Sequence, residues 1–91
     1  MQPNTMNNIL KATQRARQKH PCFATDINHA MCLAQEELGE VARAINDKAD
    51  FEEVCAEIYD TIAVLVRIAE KDHWPQPLPK QEEPYATSPK A

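Results

Sequence analysis

AQEELGEVARAINDKADFEEVCAEIYDTIAVL, residues 34–65, is the stretch that decides the fold of this chain. It holds two acidic pairs, Glu37-x-x-Glu40 and Glu57-x-x-Asp60, each inside a run that reads as helix. An i,i+3 spacing puts both carboxylates of a pair on one helix face, about 5–6 Å apart at Cβ. Around the first pair, Ile27, Met31, Ala34, Leu38, Val41 and Ile45 recur at intervals of four and three. Phe51, Cys55, Ile58, Ile62, Leu65 and Ala69 repeat that rhythm around the second, and it is the rhythm of a bundle seam. The linker, Asp47 to Ala49, is short enough to make the two helices antiparallel neighbours.

At about 100° per residue, each acidic pair borders its seam on the same relative side. Packed together, the helices aim four carboxylates at one spot, which is costly unless a cation sits among them. A single pair of this kind is ordinarily a solvated face with partners such as Arg43 or Lys48. The shared phase, the short linker and the adjacency to the core set these two pairs apart. A hard cation held by oxygen ligands, Mg²⁺ or Mn²⁺, is the simplest resolution.

Outward from this stretch, proline placement divides the chain. No proline lies between Pro21 and Pro75, whereas Pro75 to Ala91 is too rich in proline for a helix or a central strand. The reading is a folded unit over 1–74 and an extended or disordered tail over 75–91. Leu78 and Tyr85 would be the anchors of a docked tail, and Trp74 a plug against the bundle end. An N-terminal helix is expected from about Asn4 or Thr5 to His20. Its apolar stripe is thin (Met6, Ile9, Leu10, Thr13, Ala16). A second should start near Thr25 or Asp26 and reach about Ile45 or Asn46, and a third should run from Asp50 to about Lys71. The expected fold is all-α, an antiparallel helical hairpin plus an N-terminal helix. Ile62 to Val66 is apolar on nearly every side, so its cover is expected from a homo-oligomer, a dimer or tetramer, that completes the bundle.

Composition narrows the function. A single glycine and 5% aromatic residues fit a helical protein. The net charge of −4 argues against a nucleic-acid polymer as partner. No apolar run approaches the length of a membrane span. Three cysteines, Cys22, Cys32 and Cys55, without the apolar core of a signal peptide point to a reducing, cytoplasmic setting.

Glu36-Glu37-Leu38-Gly39-Glu40 followed by Glu57-Ile58-Tyr59-Asp60 resembles the MazG-like all-α nucleoside triphosphate pyrophosphohydrolases. That family carries EExxE and ExxD motifs on two antiparallel helices, and the likeness covers about residues 26 to 70. It implies a hydrolase that cleaves (deoxy)nucleoside triphosphates to monophosphate and pyrophosphate. It also implies Mg²⁺ held by Glu37, Glu40, Glu57 and Asp60, with Glu36 in support. Glu36 or Glu40 would be the general base for a water attacking the α-phosphorus.

Further residues are expected around that site. His29 projects near the face of Glu40 and is a candidate substrate contact. Arg43, Lys48, Arg67 and Lys71 are candidate phosphate contacts. The basic run Lys11, Arg15, Arg17, Lys19 reads as a solvated face, with closure over a triphosphate as the alternative. His20-x-Cys22 with His29-x-x-Cys32 fits no common zinc spacing. Two rival functions remain: a non-catalytic MazG-like module for binding or assembly, and a plain dimerisation module with solvated acids. A di-iron bundle is disfavoured because its Glu-x-x-His pairs are missing.

Overall fold

Pro3, Asp26 and Asp50 start the three helices. Pro3 sits in the first turn, where its missing N–H costs nothing. Asp26 and Asp50 cap the next two, their carboxylates accepting from the backbone N–H of His29 (2.8 Å) and Glu53 (2.9 Å). The computed structural model describes residues 1–72. These form α1 (Pro3–Lys19), α2 (Ile27–Asn46) and α3 (Phe51–Ala69), with no strand among the described residues. The expected boundaries hold to within about two residues. The proline-rich tail, with Leu78 and Tyr85, and Trp74 lie outside the described residues.

Both α2 and α3 end the same way. Lys48 N–H returns to Ile45 O and Ala49 N–H to Ala44 O, and the pattern recurs from Lys71 to Ile68 and from Asp72 to Arg67. This is the Schellman closure, and its pivot takes a left-handed backbone that glycine favours. Here lysines fill it, at φ 60° and 64°. A side chain in that region costs about 1–2 kcal/mol, part of which glycine's extra freedom in the unfolded chain returns. Lys48→Gly is therefore expected to stabilise the protein by about 0.5–1 kcal/mol, read as an upward shift of the urea midpoint.

α3 is the centre of the arrangement. It packs on α2 along one side and on α1 along another, while the backbones of α1 and α2 do not approach each other. What is buried differs from what the periodicity of large apolar residues implies. On α2 the buried positions are Ala30, Ala34 and Ala44, with Val41 and Glu37 half-buried between them. That stripe shares Ala34 and Val41 with the expected seam and otherwise lies one residue off it. Ile27, Met31, Leu38 and Ile45 from the expected seam are exposed, as are Phe51, Ile58 and Leu65 of α3. Small alanines let the backbones come close and occupy the internal contact, which leaves the bulky residues outside. Among the described residues the buried apolar side chains are five alanines and Phe23, with no Ile, Leu, Val or Met.

Candidate metal centre and cleft

Glu37 sits on the alanine face of α2, in phase with Ala30, Ala34 and Ala44, so packing turns its carboxylate toward α3. One turn apart on α3, Glu57 and Asp60 meet it. An oxygen from each of the three lies within 4.8 Å of the others, the tightest gathering of potential ligands among the described residues. Glu37 and Glu57 are half-buried and Asp60 is exposed. None of the three is ion-paired within the described residues; the ion pairs there join Arg17, Arg43 and Arg67 to Glu40, Glu70 and Asp72.

The electrostatics register that crowding. Burial pushes the Glu37 carboxyl above the usual range, and the charges of Asp60, Glu57, Glu40 and Glu36 push it the same way. Glu57 is raised by burial, then by Asp60, Glu40 and Glu53. Glu40 and Glu36 therefore act on the cluster at a distance without joining it. Glu40 is exposed and turns its carboxylate toward Arg43, 3.9 Å away. The donor chemistry fits a hard divalent cation: three carboxylates, no sulfur or imidazole, an open side for water. Oxygens around Mg²⁺ at about 2.0–2.1 Å lie roughly 3–4 Å apart, which small rotations of these side chains reach.

Beside the cluster, the gap between α1 and α2 opens above α3 as a cleft of about 410 Å³. That volume lies in the range of small-molecule sites, about 300–1,000 Å³. Ala12, Ala16, Leu33, Ala63, Val64 and Phe23 give it an apolar floor, and Glu37 and Asp60 line one end. Arg15 and Lys19 of α1, and His20 just after it, also line it.

The other residues singled out in the sequence take different places. His29 completes the start of α2, its Nδ1 accepting from the Thr25 N–H at 3.1 Å, and does not line the cleft. Lys48 and Lys71 are the helix-ending pivots and do not line it either. Arg67 does line the cleft, but two of its N–H groups are already engaged within the fold. It is 3% exposed, gives Nε–H to Asp72 at 2.7 Å and Nη1–H to Ala16 O at 3.0 Å, and stacks 4.5 Å over the Phe23 ring. Through those contacts Arg67 ties α3 to α1 and to the chain after Pro21. Asp72 takes part in the same tie and also accepts Nε–H of Arg17 at 2.8 Å. Burial opposes its ionisation, but the hydrogen bonds from Arg17 and Arg67 outweigh that and hold the carboxyl below its usual range.

Asp72 carries no site role in the sequence, and Arg15 and Lys19 enter there only through the alternative to a solvated face. The partnership of Asp72 depends on the helix-ending turn that brings it back beside Arg67, and no spacing rule for helices reaches it. No His or Cys side chain belongs to the metal-ligand cluster, and Cys22, Cys32 and Cys55 are free thiols. No described helix is long and apolar enough to cross a membrane. Compared with known proteins, the chain matches no family model, no curated protein and no solved structure.

Proposed function

We propose that the chain is a Mg²⁺-dependent nucleoside triphosphate pyrophosphohydrolase of the MazG-like kind. The observation that carries this reading is the junction of two features. Three carboxylates without ion pairs among the described residues converge from α2 and α3, and two of them, Glu37 and Asp60, line a cleft of small-molecule size. The residue types and their order, EExxE then ExxD, are those of the resemblance. A solvated acidic face accounts for neither the half-burial of Glu37 nor the cleft beside it.

In this reading α2 and α3 form an antiparallel hairpin whose facing sides hold the metal through Glu37, Glu57 and Asp60, with Glu40 swinging in from Arg43. Bound Mg²⁺ (or Mn²⁺) supplies charge neutralisation at the phosphate oxygens and orientation of the attacking water. Glu36 and Glu40, both exposed beside the cluster, are the candidate acceptors for the proton of that water. The apolar floor excludes water from the nucleoside side. The test is the identity of the product: monophosphate and pyrophosphate from a deoxy- or ribonucleoside triphosphate, released only with Mg²⁺ or Mn²⁺. Orthophosphate as first product, or no turnover across the panel, sinks the enzyme and leaves the non-catalytic module.

The oligomer belongs to the same proposal. A single chain buries mostly alanine and leaves Ile27, Met31, Leu38 and Ile45 of α2 and Phe51, Ile58 and Leu65 of α3 exposed at 37–79%. Monomeric proteins rarely expose so many large apolar side chains, and small folds often complete their cores by association. A second copy is the simplest cover, since two-fold symmetry pairs like stripes. Gly39 sits mid-helix beside Leu38, where an added Cβ would meet nothing in the chain itself. Light scattering at low micromolar concentration should give at least twice the 10.3 kDa chain mass; a clean monomer overturns the oligomer.

A further inference from the structure

The cleft has walls of opposite charge. Glu37 and Asp60 face it from α2 and α3, while Arg15 and Lys19 face it from α1. These two cations stand four residues apart, so they share a helix face with Cβ atoms about 5–6 Å apart. Both are exposed and neither has an ion-pair partner among the described residues. Their neighbour Arg17 points elsewhere, into Glu70 and Asp72. The turn that carries them is fixed to α3, because Arg67 holds the carbonyl of Ala16 and Asp72 holds Arg17. Arg15 and Lys19 therefore project from a backbone already locked in register over the cleft.

Charge balance gives them a task. Three ionised carboxylates outweigh a single divalent ion, so the metal centre alone stays net negative and cannot offset a polyanion. Positive groups must come from the opposite wall. We propose that Arg15 and Lys19 form an anion grip for the β- and γ-phosphates, the part of the substrate that leaves as pyrophosphate, while the α-phosphate lies at the carboxylate cluster. This rests on the pyrophosphohydrolase reading and adds to it the polarity of the bound substrate. It also makes α1, and not only the two acidic helices, a determinant of triphosphate affinity.

The experiment uses pyrophosphate with Mg²⁺ as the probe, because it needs no knowledge of the base. Titration calorimetry is run on wild type, on the double variant Arg15→Gln/Lys19→Gln, and on Lys11→Gln. Lys11 belongs to the same basic run but does not line the cleft. Charge-assisted hydrogen bonds are the strong ones, so the double variant should bind pyrophosphate at least about tenfold more weakly. Lys11→Gln should match wild type. Deoxynucleoside monophosphates serve as the second probe, and their affinity should be unchanged in the double variant. Both side chains are exposed, so circular dichroism should report the same helical content throughout.

Equal pyrophosphate affinity in wild type and double variant overturns the grip, as does wild type that binds no pyrophosphate. A parallel loss for monophosphates also overturns it, since the cations would then face the nucleoside. Turnover is measured separately. Pyrophosphate release by wild type with unaltered affinity in the variant removes the grip and keeps the enzyme. Selective loss of pyrophosphate binding without any turnover keeps the grip and removes the enzyme.

Discussion

Replacing Glu37 by Gln is expected to lower Mg²⁺-dependent pyrophosphate release by at least about two orders of magnitude, since metal stabilisation of phosphoryl charge is worth several kcal/mol. The substitution keeps size and helix propensity and removes one ligand charge. The same variant makes an opposite prediction for the metal-free protein. Burial and the neighbouring charges of Asp60 and Glu57 hold the folded-state pKa of Glu37 above its unfolded value. A raised acid contributes stability that is fully present below the unfolded pKa and lost as pH rises through the folded one. At neutral pH the ionised side chain is therefore a burden on the fold, and Gln removes it.

Metal-free Glu37→Gln should thus melt above wild type at pH 7, with the gap closing as the pH falls through the carboxylate range. Added Mg²⁺ should raise the wild-type melting temperature and raise the variant's less, because a ligand that binds only the native state stabilises it by mass action. Each kcal/mol amounts to about 4–8 °C in a domain of this size. Undiminished turnover together with an undiminished metal shift would remove Glu37 from the site. Lower turnover with a lower metal-free melting point would instead assign it a structural contact.

The helices were legible in the sequence because their signals are local. Asp26 and Asp50 cap where caps are expected, Pro21 stops α1, and each boundary follows from one or two residues. The acidic cluster is legible through phase in part: Glu37, Glu57 and Asp60 meet, while Glu40, the fourth carboxylate expected there, does not join them. Glu40 was not separable from them by spacing, because its turn toward Arg43 is a choice of side-chain rotamer. The packing face differs in part from the expected seam: Ala34, Val41, Cys55 and Ile62 are buried or half-buried, while its bulkier members are exposed. Hydrophobic periodicity weights Ile, Leu and Met, while the buried positions of α2 are Ala30, Ala34 and Ala44. The bulky stripe was read as the internal seam and lies outside, where the proposed second copy would cover it. Arg67, expected as a phosphate contact, does line the cleft, but its burial and its bond to Asp72 are tertiary facts that spacing does not reveal. Its i,i+5 relation to Asp72 exists only where the helix ends and the chain turns back.

Asp72→Ala is expected to destabilise the protein by about 2–4 kcal/mol. Removing one partner of a buried pair leaves the other charge uncompensated, at about 3–5 kcal/mol when both are buried. Arg67 is buried, while the Asp72 side chain keeps 19% exposure, which lowers the range. Two arginines lose their acceptor at once, and the Arg17 link from α1 to α3 keeps only Glu70. The folded-state pKa of Asp72 is depressed. Its contribution is therefore present above the unfolded pKa and lost as pH falls through the folded one, a sign opposite to that of Glu37. Urea unfolding at pH 7 should show the full loss, and the difference from wild type should vanish in strong acid. Arg67→Met in the Asp72→Ala background should recover part of the loss, because a buried unpaired guanidinium is replaced by an apolar chain of similar length. No recovery, or an unchanged midpoint in Asp72→Ala, would show that α1 is held by its apolar contacts alone. Since Ala16 and Arg17 are the points where α1 is tied down, a loosened α1 would also carry Arg15 and Lys19 away from the cleft. Weaker pyrophosphate binding in Asp72→Ala, with the metal-induced shift intact, is the signature of that loss of position.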